Sequence, residues 1–165
     1  MIQNIRVYGL EESIIAAGYP KRAVIGRMED ATRRDYKRAD LLSRVRNGSG
    51  HDCFLKGIVV QADFGMSHGW WMQAQRYHWF DIVSSQSKEH NCNHLYGTDN
   101  IDLTTMGDAI TARVTTNYLQ LKTMYAQRKG HRREEWQEFC RWIHSLPYCE
   151  WIINKDKNEK EAIHS

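Results

Sequence analysis

From Ile58 to Phe64 the apolar residues Ile58, Val60, Ala62 and Phe64 alternate with Val59, Gln61 and Asp63. A period of two is the signature of a strand with one face on a core. A strand is therefore predicted over Phe54–Phe64, and Gly65 breaks it. The next segment, His68–His90, brings Trp70, Trp71, Tyr77, Trp79 and Phe80 together with Gln73, Gln75, Arg76 and His78. It closes on Ser84, Ser85, Gln86 and Ser87. A helix is predicted from about His68 to about Phe80, then a turn or short strand over 81–87. Aromatic faces stack on flat rings, and a guanidinium presents a rigid fork of donors that suits phosphate. The segment is thus suited to a flat, anionic ligand such as a nucleotide or flavin, although an amphipathic helix with core tryptophans accounts for the Trp residues equally well.

Around this centre the pattern predicts a first strand at 2–8, a short helix at Glu11–Ala17 ended by Gly18 and Pro20, and a helix over 29–46. Residues 88–103 read as polar loop. Met106, Ile110, Val114, Asn117, Leu121 and Met124 predict a long helix over Thr104–Lys129, stopped by Gly130. Arg133–Ser145 is predicted as a further helix with Trp136, Phe139, Cys140 and Ile143 inward. The expectation is a single α+β domain over 1–153, a small, mostly antiparallel sheet packed with several helices, and a flexible polar tail over 154–165.

The 165 residues suffice for one sizeable core. A net charge of +3 does not separate an anionic small ligand from nucleic acid. The opening MIQNIRVYGLEES has no secretory pattern and no apolar run has the length of a membrane span. The four cysteines, irregularly spaced, are then expected as reduced thiols of a cytoplasmic protein.

Several residues invite a chemical reading. Gln73 lies three before Arg76 and four before Tyr77, so the three share neighbouring helix surface. An unpaired charge among rings is costly, so a ligand or a carboxylate is expected at Arg76. His90-Asn91-Cys92-Asn93-His94 lacks the ligand spacing of structural zinc, and no metal is expected. Cys140 reads as core. Cys53, after His51 and Asp52, is a weak nucleophile candidate. The basic run Arg128, Lys129, His131, Arg132 and Arg133 reads as a solvated face, with Arg133 near a helix start where phosphate could bind.

In order, Gly50-His51, the strand ending in Phe64, the helix with Gln73 and Arg76, and the Ser-rich turn with Ser87-Lys88-Glu89-His90 resemble the flavin-dependent thymidylate synthases, the ThyX family. Tyr118-Leu119, Leu121, Tyr125, Gly130, Glu134-Glu135, Arg141 and Leu146-Pro147 continue the resemblance, which spans about residues 50–147. It implies an α+β fold, a homotetramer with sites shared between subunits, and a nucleotide-sized pocket. In that family a flavin held by an Arg-His-Arg motif is reduced by a nicotinamide cofactor, and a folate supplies the methyl group. Here the second motif arginine is replaced by His78, Lys56-Gly57 stands where the family has Glu-His, and the Asn-Glu pair is absent near Val83-Ser84. The chain also ends soon after Leu146-Pro147, where members of the family continue.

The expectation that follows is a non-catalytic, ThyX-like, nucleotide-binding protein with no cofactor. Its ligand contacts would come from Gln73, Arg76, Tyr77, His78, Trp71, Ser85, Ser87, His51 and Arg133. Sequestration of a nucleotide or a cyclic, immune-signalling derivative fits such a chain, in the manner of phage proteins that blunt host defence. The alternatives are a flavin-dependent methyltransferase acting on dUMP with bound FAD, and a nucleic-acid-binding module. Nucleic acid and membrane are not the expected partners; a small nucleotide-type ligand and further copies of the chain, as a homotetramer, are.

Overall fold

The computed structural model describes residues 1–153, so the expected tail at 154–165 lies outside the described residues. Four strands, β1 (Ile2–Tyr8), β2 (Val59–Ser67), β3 (Phe80–Ser85) and β4 (Ala109–Asn117), form one antiparallel sheet in the order β1-β2-β4-β3. Among the described residues seven α-helices accompany it: α1 (Leu10–Ala16), α2 (Arg33–Ser43), α3 (His68–Ala74), α4 (Lys88–Tyr96), α5 (Tyr118–Arg128), α6 (Glu134–Ile143) and α7 (Glu150–Ile153). The α+β expectation holds. No helix among the described residues is long and apolar enough to cross a membrane.

The alternation in β2 sets the layers. Val60, Ala62, Phe64 and Met66 are buried and face the helices, as do Ile110, Ala112, Val114 and Thr116 of β4. The opposite face is half-buried and polar; there Arg113 Nη1 meets Asp63 Oδ1 at 3.1 Å across the β2–β4 register. The core is strongly aromatic. Trp70 packs on Trp136 with centroids 4.8 Å apart, and Phe64 meets Trp142 edge-on at 5.1 Å. Five of the six tryptophans, Trp70, Trp71, Trp136, Trp142 and Trp151, are buried, and Trp79 is exposed. One core therefore absorbs most of the tryptophans.

Five expectations are corrected. Gly65 does not break β2. The strand runs on to Ser67, and Gly65 is instead a point of close approach, where a Cβ would lie 3.1 Å from Thr111 Oγ1. The predicted helix over Thr104–Lys129 is β4 followed by α5. Ile110 and Val114 satisfy a helical spacing, but Ile110, Ala112, Val114 and Thr116 also satisfy a period of two. The β-branched run Ile110, Thr111, Val114, Thr115, Thr116 tips the choice to strand. Asn117 then starts α5 by accepting from Gln120 N–H. Residues 88–103 are not loop: Ser87 caps α4, accepting from His90 N–H, Gly97 ends it at φ 69°, and a 3₁₀ turn follows at Ile101–Leu103. The helix begun at His68 stops at Ala74 rather than Phe80, and Phe80 opens β3. The helix expected at 29–46 is the shorter α2, fixed at its start by a reciprocal Thr32–Asp35 cap.

One buried charge ties α5 to the loop after α2. Lys122 Nζ donates to Ser43 O at 2.7 Å, Val45 O at 2.9 Å and Asp52 Oδ2 at 2.8 Å, so all three ammonium donors are used. Both side chains of the Lys122–Asp52 pair are 1% exposed.

Candidate functional site

The residues singled out in the sequence separate into three places. Gln73 and Tyr77 face inward along α3 and the turn after it. Gln73 Oε1 accepts from Trp136 Nε1 at 2.7 Å. Tyr77 Oη accepts from Arg128 Nε at 2.8 Å and donates to Gln127 Oε1 at 2.9 Å. The Arg128 guanidinium lies 4.4 Å from the Trp136 ring centroid and 5.5 Å from that of Tyr77, a double cation–π contact. These contacts lock α3 to α5 and α6 and engage Gln73 Oε1, Tyr77 Oη and Arg128 Nε within the protein. Burial, then the neighbouring Arg128, Arg133 and Arg132, holds the His131 imidazole below its ordinary range.

Arg133, at the start of α6, packs against the start of α3. Its Nε is 3.3 Å from Glu135 Oε2, and its guanidinium lies over Gly69, where a Cβ would come within 2.6 Å of Nη2. Glu135 accepts from Ser67 N–H at 2.6 Å and from Ser67 Oγ at 2.7 Å. Ser67 in turn caps α3 by accepting from Trp70 N–H. The glutamate thus fixes the angle at which α3 leaves β2. Ser87 is occupied as the α4 cap, and His51 is exposed in the turn ahead of Cys53–Gly57. Arg76 and His78 are exposed; Arg76 has no ion pair or side-chain hydrogen bond among the described residues, and His78 sits edge-on to Trp79.

Trp71 and Ser85 are brought together. They line a cleft of about 180 Å³ between α3 and β3, and Lys88 of α4 belongs to the same lining. Trp71 Nε1 donates to Ile110 O at 2.9 Å, which fixes the indole as one wall. Ile82, Ile110 and Ala112 supply the apolar floor. Gln86 continues the ladder beyond β3: its N–H donates to Thr111 O at 3.0 Å, and its Oε1 accepts from Thr111 N–H at 2.9 Å. Gln75 and Ser85 make no side-chain hydrogen bond among the described residues, so their polar groups are available. Lys88 likewise has no ion pair there.

His68 completes the lining, and its Nε2 is shut off from solvent without a hydrogen-bond partner. Burial, then the Lys88 charge, pulls its pKa below the ordinary histidine range, with Asp108 opposing. Hydrogen bonds from Thr105 N–H and Tyr96 Oη hold Asp108 itself well into the ionised range. The cleft therefore presents one fixed cation, amide and hydroxyl groups, an imidazole and the nearly buried Trp71 indole. That set can meet an anionic group, in a volume smaller than that of pockets enclosing a whole small ligand. Sequence reasoning found Trp71 and Ser85 and missed His68, Gln75, Gln86 and Lys88 as neighbours. Lys88 carried a signal, since it stands in the Ser87-Lys88-Glu89-His90 run.

The described residues contain no group of three or more His, Cys, Asp or Glu placed to hold a metal ion. Cys92 is buried, with Sγ 3.0 Å from Asn100 O, and Cys140 lies in the core with its thiol pushed up to about 11 by burial. Neither is poised as a nucleophile.

No protein-family model matches the sequence, and no curated protein matches it. Among solved structures, the chain superposes on the flavin-dependent thymidylate synthase ThyX from Helicobacter pylori, complexed with FAD and dUMP, with a TM-score of 0.70 and 14% identity. The match covers 93% of this chain and 99% of that one. A second structure of Helicobacter pylori ThyX with FAD and dUMP gives a TM-score of 0.69 at 13% identity, over 93% and 98% of the two chains. The chain has the ThyX fold.

Proposed function

We propose that this protein binds a nucleotide-type small molecule in the cleft between α3 and β3, and that it does so without flavin chemistry. The observation that carries the reading is the juxtaposition of Lys88 with the Trp71 wall, the amide of Gln75 and the hydroxyl of Ser85 around one cleft. A base stacks on an indole face, and a phosphate is matched by an ammonium and neutral donors. The fold resembles proteins solved with dUMP bound, which supports the same ligand class.

A flavin fits the residues poorly. Gln73 is tied to Trp136 and Tyr77 to Arg128 and Gln127. His78 is a shorter side chain than arginine and lacks its planar fork of donors. Arg76 faces solvent and has no ion pair among the described residues. We therefore assign the protein a binding role: sequestration of a nucleotide or nucleotide-derived signal in a reducing, cytoplasmic setting, as in phage proteins that blunt host defence. Arg76 and His78, outside the cleft, are proposed as contacts for a part of the ligand that extends along the surface.

The test is direct. Protein purified without added ligand should be colourless and should release, on heating, small molecules with nucleotide absorbance. Added FAD should bind poorly. Stoichiometric flavin, or nicotinamide oxidation dependent on dUMP, would instead establish the methyltransferase reading. Tight, salt-steep binding to oligonucleotides would establish a nucleic-acid module.

A homo-oligomer, a tetramer in this proposal, is supported by β3 being an edge strand with exposed Ile82 and Val83. Exposed Leu95, Ile101, Leu103 and Met106 in the excursion between β3 and β4 add to it. Light scattering at micromolar concentration should give a multiple of the 19.4 kDa chain mass. A monomer mass would reject this part of the proposal.

A further inference from the structure

We infer that His68 is the proton acceptor of the cleft: an anion that enters beside Lys88 is bound together with one solvent proton, taken up on the His68 imidazole. The inference rests on the proposed binding role and adds a property of the same site.

The geometry places His68 at the start of α3, with its ring in the lining and its backbone N–H donated to Asp108 O at 3.1 Å. The charged groups that act on the ring are Lys88 from α4 and Asp108 from the turn leading into β4. The cleft groups Gln75, Ser85 and Gln86 are neutral. Without a ligand only Asp108 favours an imidazolium. Nε2 meets no acceptor, the ring is partly withdrawn from water, and the Lys88 ammonium repels a second positive charge. An anion in the cleft reverses the balance, because it offsets Lys88 and attracts a charge on the ring. Asp108 already favours the charged ring and is occupied by Tyr96 and Thr105, so its contribution persists in both states.

The sign of the pH effect follows. The empty-state pKa is depressed, so the ring is neutral at pH 7. Ligand raises the pKa, and protons are taken up between the two values. Affinity then increases as pH falls through that window, by up to about tenfold per unit, and levels off once the empty protein is itself protonated.

Calorimetric titration with dUMP between about pH 7 and 8, above the second phosphate ionisation at about 6, reads this linkage. Repeating it in buffers of different ionisation enthalpy counts the protons. Wild type should take up a measurable fraction of a proton that rises toward one as pH falls. His68→Gln should bind with no uptake and with a Kd that no longer varies with pH. If His68→Gln folds poorly, the ring resonances of His68 in wild-type protein serve instead, and should move to the imidazolium position on saturation with dUMP. Binding by wild type without uptake, or uptake unchanged in His68→Gln, would overturn the inference and leave the binding role standing. Failure of wild type to bind dUMP at any pH, while another nucleotide binds, moves the same titration to that nucleotide, with the same two outcomes. Failure to bind any nucleotide would overturn both.

Discussion

Replacing Lys122 by Met should destabilise the protein by about 3–5 kcal/mol, the cost of leaving a buried partner charge uncompensated. For a chain of this size that corresponds to a fall in Tm of roughly 6–20 °C. The side chain is long and nearly isosteric, so the packing volume is kept and the effect is electrostatic. What is lost is the three-way satisfaction of Ser43 O, Val45 O and the Asp52 carboxylate. A buried carboxylate and two carbonyls are then left without that donor, and the loop between α2 and the Cys53–Gly57 turn loses its anchor to α5. Adding Asp52→Asn removes the stranded charge and should recover part of the loss, by about 1 kcal/mol or more, as expected for two residues in one network. Thermal or urea unfolding of the two variants checks this. A Lys122→Met protein as stable as wild type would mean that the ammonium is not the anchor.

Lys88→Ala should act on binding and spare the fold. Lys88 is exposed, has no ion pair among the described residues and opens α4 without capping it, a task that falls to Ser87. Loss of a charge-assisted hydrogen bond to an anionic ligand costs about 1.5–3 kcal/mol, roughly a tenfold to hundredfold rise in Kd. Arg76→Ala, outside the cleft, should cost less. Side-by-side titrations with the same nucleotide discriminate the two positions. A larger loss at Arg76 than at Lys88 would move the ligand from the cleft to the outer surface beyond the end of α3.

Much of the frame was legible because local and tertiary signals agreed. The core of β2 alternates in sequence and does so in the sheet, since one of its faces is buried; β1 forms where the pattern placed it, but as an edge strand with only Ile2 and Val7 half-buried and Ile5 exposed. The aromatic positions of α6 repeat at helical spacing and form the inner face of that helix. The Ala109–Asn117 strand was hidden because its apolar residues satisfy two periods at once, and only pairing with β2 and β3 decides between them. The site was harder. Gln73 and Tyr77 are polar residues on a helix among aromatics, which looks like a ligand surface until their partners are known. Those partners, Trp136 and Arg128, are 63 and 51 residues away along the chain. The Trp71–Lys88 cleft forms only because the chain leaves α3, turns through 75–79 and returns as β3 beside β4. No spacing rule within 68–88 announces that return. The basic run at 128–133 reads as a solvated face with Arg133 where phosphate could bind; in the structure Arg128 meets Tyr77 and Trp136, and Arg133 packs on Gly69 beside Glu135.

The central claim is that the cleft between α3 and β3 is where a nucleotide binds. A crystal structure of the protein grown with the tightest-binding member of a nucleotide panel tests it most directly. Density for the ligand is expected in the cleft, its ring against Trp71 and an anionic oxygen within hydrogen-bond distance of Lys88 Nζ, with no flavin present. A nucleotide seated elsewhere with the cleft empty, or a flavin occupying the Trp71 wall, would contradict it.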